Sequence, residues 1–536
     1  MLRIRDISIA PEHDQSVLLY EASRILGISA SEIRSLQLVR KSIDARKKPQ
    51  VRVIYTVDVA LKGSENKVLK RCRSSRVSPA PVNRYRIPAA QPGGERPVVI
   101  GFGPAGMFAA LVLALAGRRP IVLERGEDAL TRHRKVETFF ETGKLDPRSN
   151  VQFGEGGAGT FSDGKLNTGV NNPRIGWILK QFVAAGAREE ILFDAKPHVG
   201  TDVLLEVVQN LRKRIESLGG EVRFCSQVTA LESQGDRLTG VRLESGERIP
   251  CKQAVLAIGH SARDTFEMLH SIGIPMEPKP FAMGVRIEHS QKSIDRAQYG
   301  EENPSLPPAD YKLVQHLDDG TVYTFCMCPG GYVVAAASEE GRVVTNGMSY
   351  ADRDGENANA ALLVTVNPEI FPDPGPLGGM YWQREIEEAA YRLSGSYLAP
   401  AQKVGDFLTG RESSGPGSVK PTYRPGVRWT DLHKCLPKHI TDALSKALPK
   451  LDDRLRGFAD PDAVLTAPET RSSSPVRIVR DETRQSSLRG LYPTGEGAGY
   501  ADGIMSAAVD GMMTAEAILQ EPISRKPGIH LSDTGF

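Results

Sequence analysis

Val98-Val99-Ile100-Gly101-Phe102-Gly103-Pro104-Ala105-Gly106 is followed by an apolar run of helical spacing and then by Ile121-Val122-Leu123-Glu124. Strand, glycine turn, helix and a second strand closed by an acid are the parts of a dinucleotide-binding unit. Gly101 lets the chain turn sharply, Gly103 lets backbone N–H groups approach a pyrophosphate, and Gly106 lets the helix lie close to the sheet. Pro104 and Ala105 complete the turn. Glu124 stands where a carboxylate would accept hydrogen bonds from both ribose hydroxyls, and Arg125 follows it into the same site. A bare GxGxxG also fits a glycine turn with no ligand. The flanking strands and an acid about 20 residues on favour the dinucleotide.

Around this unit the chain has room for roughly three compact units in its 536 residues. A net charge of +3 with 25% charged residues announces neither nucleic acid nor membrane. No stretch approaches the ~18–20 apolar residues of a membrane helix, and the N-terminus has no apolar signal core. Six cysteines (72, 225, 251, 326, 328 and 435) lack CxxC spacing, so neither a metal site nor a disulfide framework is expected, and a reducing cytoplasm is the default compartment.

Residues 1–62 read as a small α+β domain, with strand Leu2–Ile9, helix Val17–Leu26, a basic bend over Arg40–Lys48 and strand Val51–Val59. Residues 63–96 have the composition of a basic Pro/Gly linker, either solvated or touching nucleic acid. Residues 97–279 continue with a helix over Leu204–Leu218, strand Glu221–Phe224, a meander near Val228–Leu231, Gly240–Leu243 and Arg248–Pro250, and buried strand Ala254–Ile258. Residues 280–465 read as an inserted α+β cap or substrate domain, with strands Ala282–Glu288, Val322–Cys328, Tyr332–Ala337 and Arg342–Thr345 before a helix-rich stretch from Met380 to Leu455. Residues 466–536 return to nucleotide chemistry and end in a tail.

The fingerprint alone suits FAD and NAD equally, because both present an ADP. Length distinguishes them, since the flavin half of FAD must be held by segments remote from the ADP turn. Two such segments are present: Ala257-Ile258-Gly259-His260, and the run containing Gly495, Glu496, Gly503 and Ile504 immediately before helix Met505–Leu519. The start of that helix can face the flavin edge where negative charge collects on reduction. Gly154-Glu155-Gly156-Gly157-Ala158-Gly159 also matches GxGxxG, but no strand precedes it; Gly157 and Ser162 are instead expected in a backbone nest around the pyrophosphate and ribityl chain. Val228 is placed at the cofactor with them. FAD is the expected cofactor.

This set of segments resembles the poorly characterised bacterial FAD-dependent dehydrogenases of the glutathione-reductase-like class. The likeness extends to Lys279-Pro280-Phe281-Ala282, Val285–His289, Cys326–Gly331 and Glu469–Arg477. It implies an α/β fold: one FAD in a discontinuous Rossmann-type domain, an inserted cap domain and no established substrate. The chain lacks the CxxxxC and second valid GxGxxG of true glutathione reductases, which argues against disulfide reduction and a separate NAD(P) domain.

Flavin transfers the hydride itself, so the protein positions substrate and handles protons. Arg286 and Glu288 share one face of a strand, with His289 next; they could bind a substrate carboxylate and shuttle a proton, or form a surface ion pair. Lys165 could place a cation near flavin or substrate. Glu469, Arg471, Ser473 and Ser474 form a polar stretch that could touch either. His260 reads as a cofactor neighbour or a packing residue, and Cys326 with Cys328 as buried apolar thiols or a redox pair. The expected activity is hydride transfer through flavin N5 to or from a small organic substrate, with NAD(P)H a candidate electron donor. The alternative is an RNA-modifying or RNA-binding flavoprotein that uses the N-terminal domain and basic linker.

Overall fold

The computed structural model describes residues 1–13, 15–81, 85–89, 95–169, 171–318 and 320–521. Three sheets organise it. In the first, strands Ile33–Asp44, Arg52–Leu61, Leu2–Ile9 and Val77–Pro79 lie side by side in that order, all antiparallel. Helix Val17–Leu26 covers this sheet, because Leu18, Ala22 and Leu26 recur at helical spacing and bury against Ile4, Val57 and Val59.

Two sequence expectations change here. Strand Ile33–Asp44 has too many Arg, Ser, Lys and Gln residues to signal a strand, and it is held by its ladder to Arg52–Leu61. The basic bend at its end is docked: Lys41 exchanges backbone hydrogen bonds with Phe193 and Ala195, and Lys48 Nζ donates to the Ala297 carbonyl. The expected linker also begins too early. Helix Glu65–Arg71 and strand Val77–Pro79 belong to the first unit, whereas residues 82–84 and 90–94 of that linker lie outside the described residues, as does the tail 522–536.

The second sheet is five-stranded and parallel, in the order Leu491–Pro493, Ala254–Leu256, Val98–Ile100, Ile121–Leu123, Glu221–Arg223. Its strands come from two distant parts of the chain. Helices Pro104–Leu115 and Ile504–Gln520 pack together beside it, and Gly511 makes this close approach possible: a Cβ there would lie 2.0 Å from the Ala105 carbonyl oxygen. The expected meander forms a separate three-stranded antiparallel sheet.

The third sheet has seven strands in the order Val314–Leu317, Gly320–Cys328, Asn357–Val366, Phe281–Ser290, Val464–Glu469, Ala399–Lys403, Val427–Trp429. Strand Val464–Glu469 crosses the expected boundary at residue 465 and lies wholly in this sheet. The stretch from Met380 to Leu455 contains helices Gly378–Ser394, Val404–Leu408 and Lys438–Asp452, but also strands Ala399–Lys403 and Val427–Trp429, which lack β-branched alternation. Asn357–Val366 was not anticipated either: buried along its length, it is an Ala- and Leu-rich run with no period of two. The hairpin partner of Tyr332–Ala335 is Thr345–Met348, so Arg342–Val344 precede the strand rather than form it. Among the described residues no helix is long and apolar enough to cross a membrane, and no cluster of His, Cys, Asp and Glu could hold a metal ion.

Candidate functional site

The glycine turn shows three different constraints. Gly101 has φ +95, and a Cβ on it would sit 2.3 Å from the Ala257 carbonyl oxygen; a Cβ on Gly106 would sit 2.0 Å from the Gly101 oxygen. Both are glycine because the fold's own backbone fills the space. Gly103 differs, since a Cβ there would meet only the Cα of Gly157, at 3.7 Å. Its free side opens on a cavity of about 1570 Å³, mouth included. Gly103 also caps helix Pro104–Leu115, whose first-turn N–H groups have no partner within the helix.

From this turn the cavity extends both ways. On one side are Glu124, Arg125, Val228, Ala257, Ile258 and Gly259. Glu124 is buried and ties three loops together: its Oε2 accepts from Phe102 N at 2.8 Å, and its Oε1 accepts from Gly126 N at 2.9 Å and Gly154 N at 3.0 Å. Three of roughly four acceptor positions are thus used, which leaves room for one ribose hydroxyl rather than two. Arg125 pairs with Asp264 at 2.9 Å and lies over the Phe153 ring at 4.4 Å. Gly106 and Gly495 do not line the cavity. They act behind it, where a Cβ on Gly495 would lie 2.7 Å from the Ala105 Cβ.

Gly157 and Ser162 wall the middle, in a loop where Gly154, Gly156 and Gly157 all have positive φ. The Ser162 hydroxyl folds that loop, donating to Gly159 O at 2.7 Å and accepting from Gly164 N at 3.0 Å. Opposite lie Glu496, Gly503 and Ile504, the last two opening helix Ile504–Gln520. Asp510, one of the residues sequence reading missed, anchors this wall: its carboxylate accepts from Arg480, Thr494 Oγ1 and Gly495 N, each at 2.8–2.9 Å, and from Arg484. Burial pushes Glu496 up to about 8, with the Asp502 charge adding to the effect, and pushes His260, also on the cavity wall, down to about 3. Near neutral pH Glu496 is therefore mostly a protonated donor and His260 is neutral.

At the far end the wall comes from the seven-stranded sheet and its hairpin: Phe325, Cys326, Cys328, Gly347, Glu469 and Arg471, with Lys165 beside them. The strand bulges between Phe325 and Cys328, and Cys326 takes φ +40, so the two thiols do not follow regular strand geometry. Cys326 is exposed on the cavity and Cys328 is buried. Arg286 holds the bulge from behind, donating to the Cys326 carbonyl at 2.6 Å, Cys328 Sγ at 3.3 Å and Glu469 Oε1 at 2.8 Å. Lys165 Nζ donates to the Met327 carbonyl.

The structure separates the five candidate catalytic residues. Lys165 and Arg471 reach the cavity, although Arg471 spends its guanidinium on Glu387 and Ser338. Arg286 stands one layer back, behind Gly347, whose Cβ would lie 2.0 Å from Nη2. Glu288 and His289 do not reach it. Phe281–Ser290 is an interior strand of the seven-stranded sheet, so both of these side chains are buried. Glu288 accepts from Thr422 and Asn357, and His289 Nε2 lies 2.7 Å from the Phe458 carbonyl. The surface ion pair is excluded as well, because Arg286 and Glu288 are each 0% exposed. In the polar stretch it is Glu469, Arg471 and Ser472 that line the cavity, while the Ser474 hydroxyl donates to the Val476 carbonyl. Phe325, Asn346 and Gly347 also line it without having been anticipated, since no local pattern marks a residue that approaches from a distant sheet.

A turn without a side chain at Gly103, two helix N-termini and a passage onward to a second sheet fit a long dinucleotide whose ring half lies away from its ADP half. FAD is such a molecule. Residues 280–472 match the model of the FAD-dependent protein, C-terminal domain-like family, and residues 1–60 match a domain of unknown function. An uncharacterized protein of Clostridium beijerinckii is 47% identical over 531 residues, covering 97% of this chain and 99% of the relative. Among solved structures, glycine oxidase from Bacillus cereus (TM-score 0.36, 11% identity, 79% of this chain and 95% of that one) is a distant likeness. L-proline dehydrogenase from P. horikoshii is another (TM-score 0.34, 13% identity, 80% and 94%). The fold and cavity define an FAD-dependent protein. The chain belongs to one family with the clostridial protein, a family of FAD-dependent proteins.

Proposed function

We propose that the protein is an oxidoreductase that moves a hydride between FAD and a small organic substrate, with NAD(P)H as the donor that reduces the flavin. The observation that carries this reading is the single cavity joining the glycine turn to a far end supplied with Lys165, Cys326 and Glu469. When bound, FAD supplies the two-electron chemistry at its ring. In this reading the turn at Gly101–Ala105, Gly157, Ser162 and the start of helix Ile504–Gln520 hold the phosphates and ribityl chain. Glu124 and Arg125 lie at the adenosine end with Val228 and Ala257–Gly259. The helix start lends partial positive charge to its stretch of wall, which favours negative charge placed there. In this proposal residues 97–279 and those following strand Val464–Glu469 form the cofactor domain, with residue 280 to the end of that strand as the cap over the substrate and a reducing cytoplasm as the place of action.

The test is to purify the protein, record its visible spectrum, and mix it anaerobically with NADH, NADPH and a metabolite panel. Bound FAD that is bleached by one of these is the expected result. A colourless protein that takes up no FAD overturns the reading; a yellow one left oxidised by both nicotinamides overturns the NAD(P)H part alone.

A further inference from the structure

The four-stranded sheet at the start of the chain carries a charge that the rest does not. Residues 1–79 hold sixteen Lys and Arg against eight Asp and Glu, a net +8 in a chain whose total is +3, so the remainder is net negative. Helices Val17–Leu26 and Glu65–Arg71 pack on one side of this sheet, against the row that includes Ile4, Ile7, Val53 and Val57. Side chains alternate across a strand, so the residues between these face the other way. Arg3, Arg5, Arg40, Arg52 and Arg76 do so, and the ladder brings them together. Arg5 N donates to the Arg76 carbonyl, and Arg5 falls in the bulge between the pairs Ile4–Val57 and Ile7–Tyr55, hence beside Thr56, which is itself opposite Arg40. Arg3 is opposite Asp58, and Arg52 donates to the Ser8 hydroxyl and carbonyl on the neighbouring strand. With strands about 4.8 Å apart, Arg76, Arg5 and Arg40 cross the whole sheet in about 14 Å.

This face has little negative charge of its own. Asp58 gives both oxygens to Arg3 and Asp44 gives both to Arg46, while Asp6 in the bulge and Glu12 near Arg52 are exposed. Among the described residues Arg5, Arg40, Arg52 and Arg76 stand in no ion pair, and all four are exposed. The unit docks on the rest of the chain through the Lys41 edge and the Lys48 hairpin, which leaves the face uncovered. Between the arginines lie Ser8, Gln37, Ser42 and Thr56, with Ile54 half-buried among them. We infer that this open face binds single-stranded RNA, its phosphates on the four exposed arginines and its 2′-hydroxyls on the polar side chains between them. The strands present no aromatic ring here on which a base could stack, so binding is indifferent to base sequence. An anionic membrane is the poorer fit, because Ile54 is the one apolar side chain among these and a membrane-binding face buries several.

The experiment titrates the full chain into a fluorescein-labelled oligouridine of about 20 nucleotides, read by anisotropy at about 50 and 200 mM salt. Four phosphate contacts on a single strand give a log–log salt slope of about −2.8, so affinity should fall about fiftyfold across that range. The double variant Arg5→Ala/Arg40→Ala should halve the slope and weaken binding at the lower salt at least about tenfold, whereas Arg5→Lys/Arg40→Lys should keep most of both. Lys450→Ala/Arg454→Ala, which removes two exposed cations at the end of helix Lys438–Asp452, should change neither. Oligothymidine DNA of the same length lacks the 2′-hydroxyl and should bind about fivefold more weakly, the worth of one hydrogen bond. No binding of oligouridine at the lower salt, binding left intact in Arg5→Ala/Arg40→Ala, DNA bound as tightly as RNA, or phosphatidylserine vesicles bound more tightly than oligouridine overturns the inference. The readout does not involve the flavin, so this inference and the proposed function stand or fall separately.

Discussion

Gly101 and Gly103 stand two residues apart under different constraints. Gly101 is hemmed in by the Ala257 carbonyl, so Gly101→Ala should destabilise the apoprotein itself, by about 2 kcal/mol or more, read as a fall in its melting temperature. Gly103 faces open space, so Gly103→Val should leave apoprotein stability nearly unchanged yet lower the flavin retained on purification at least about tenfold. Equal melting losses in the two variants would contradict this division. Glu496 gives a pH test of the same wall. Burial raises its carboxyl to about 8, so the folded apoprotein keeps a proton that the unfolded chain releases near its ordinary 4.5. Stability therefore drains away as pH rises from about 4.5 to 8 and changes no further from this group above it. Glu496→Gln should raise the melting temperature of the apoprotein at pH 8 by a few degrees, corresponding to about 1–2 kcal/mol, with little effect at pH 4.

At the scale of elements, the cofactor wall depends on how helix Ile504–Gln520 is fastened to the loop before it. Asp510 is the centre of this fastening, gathering Arg480, Arg484, Thr494 and the Gly495 amide on one carboxylate held well below its usual range by Arg480 and Arg484 despite burial, with Thr514 hydrogen-bonded to Thr494 and Arg484. Asp510→Ala leaves two arginines facing each other without their anion. It should cost about 3–5 kcal/mol and release FAD on gel filtration, whereas Asp510→Asn should recover part of the loss through the Gly495 and Thr494 contacts. The elements legible from sequence were those with a strong period or a sharp turn: Leu2–Ile9, Val17–Leu26, the glycine unit and the final helix. Asn357–Val366 and Ala399–Lys403 were not, because burial among neighbouring strands makes them strands and nothing in their own order does.

Across the whole molecule Glu387, with Glu339 beside it on the same two arginines, joins the two large sheets. Glu387, on helix Gly378–Ser394, receives Arg263 from the dinucleotide unit and Arg471 from just beyond the seven-stranded sheet, at 2.8–3.0 Å, with the Thr470 hydroxyl at 2.7 Å. The arginines hold its carboxyl well below the usual range, so its stabilising contribution is present above about pH 4.5 and is lost as pH falls toward the depressed value. Glu387→Gln should lower the melting temperature at pH 7 by an amount corresponding to about 3–5 kcal/mol and flatten the acid limb of the stability profile. An unchanged acid limb would show that the junction is carried elsewhere.

The order strand, glycine turn, helix and acid determined by itself that a dinucleotide unit forms, because backbone sterics and helix-end polarity are local properties that a run of some twenty-five residues can specify. Two remote glycine segments added the length of FAD. Which side chains meet at the other end of the cavity was decided only by tertiary structure. Phe281–Ser290 became an interior strand and took Glu288 and His289 into the core, while a bulge at Cys326, a hairpin at Gly347 and Glu469 came together from positions far apart in the chain. Burial and charge pairing at that end depend on distances that no local sequence pattern encodes.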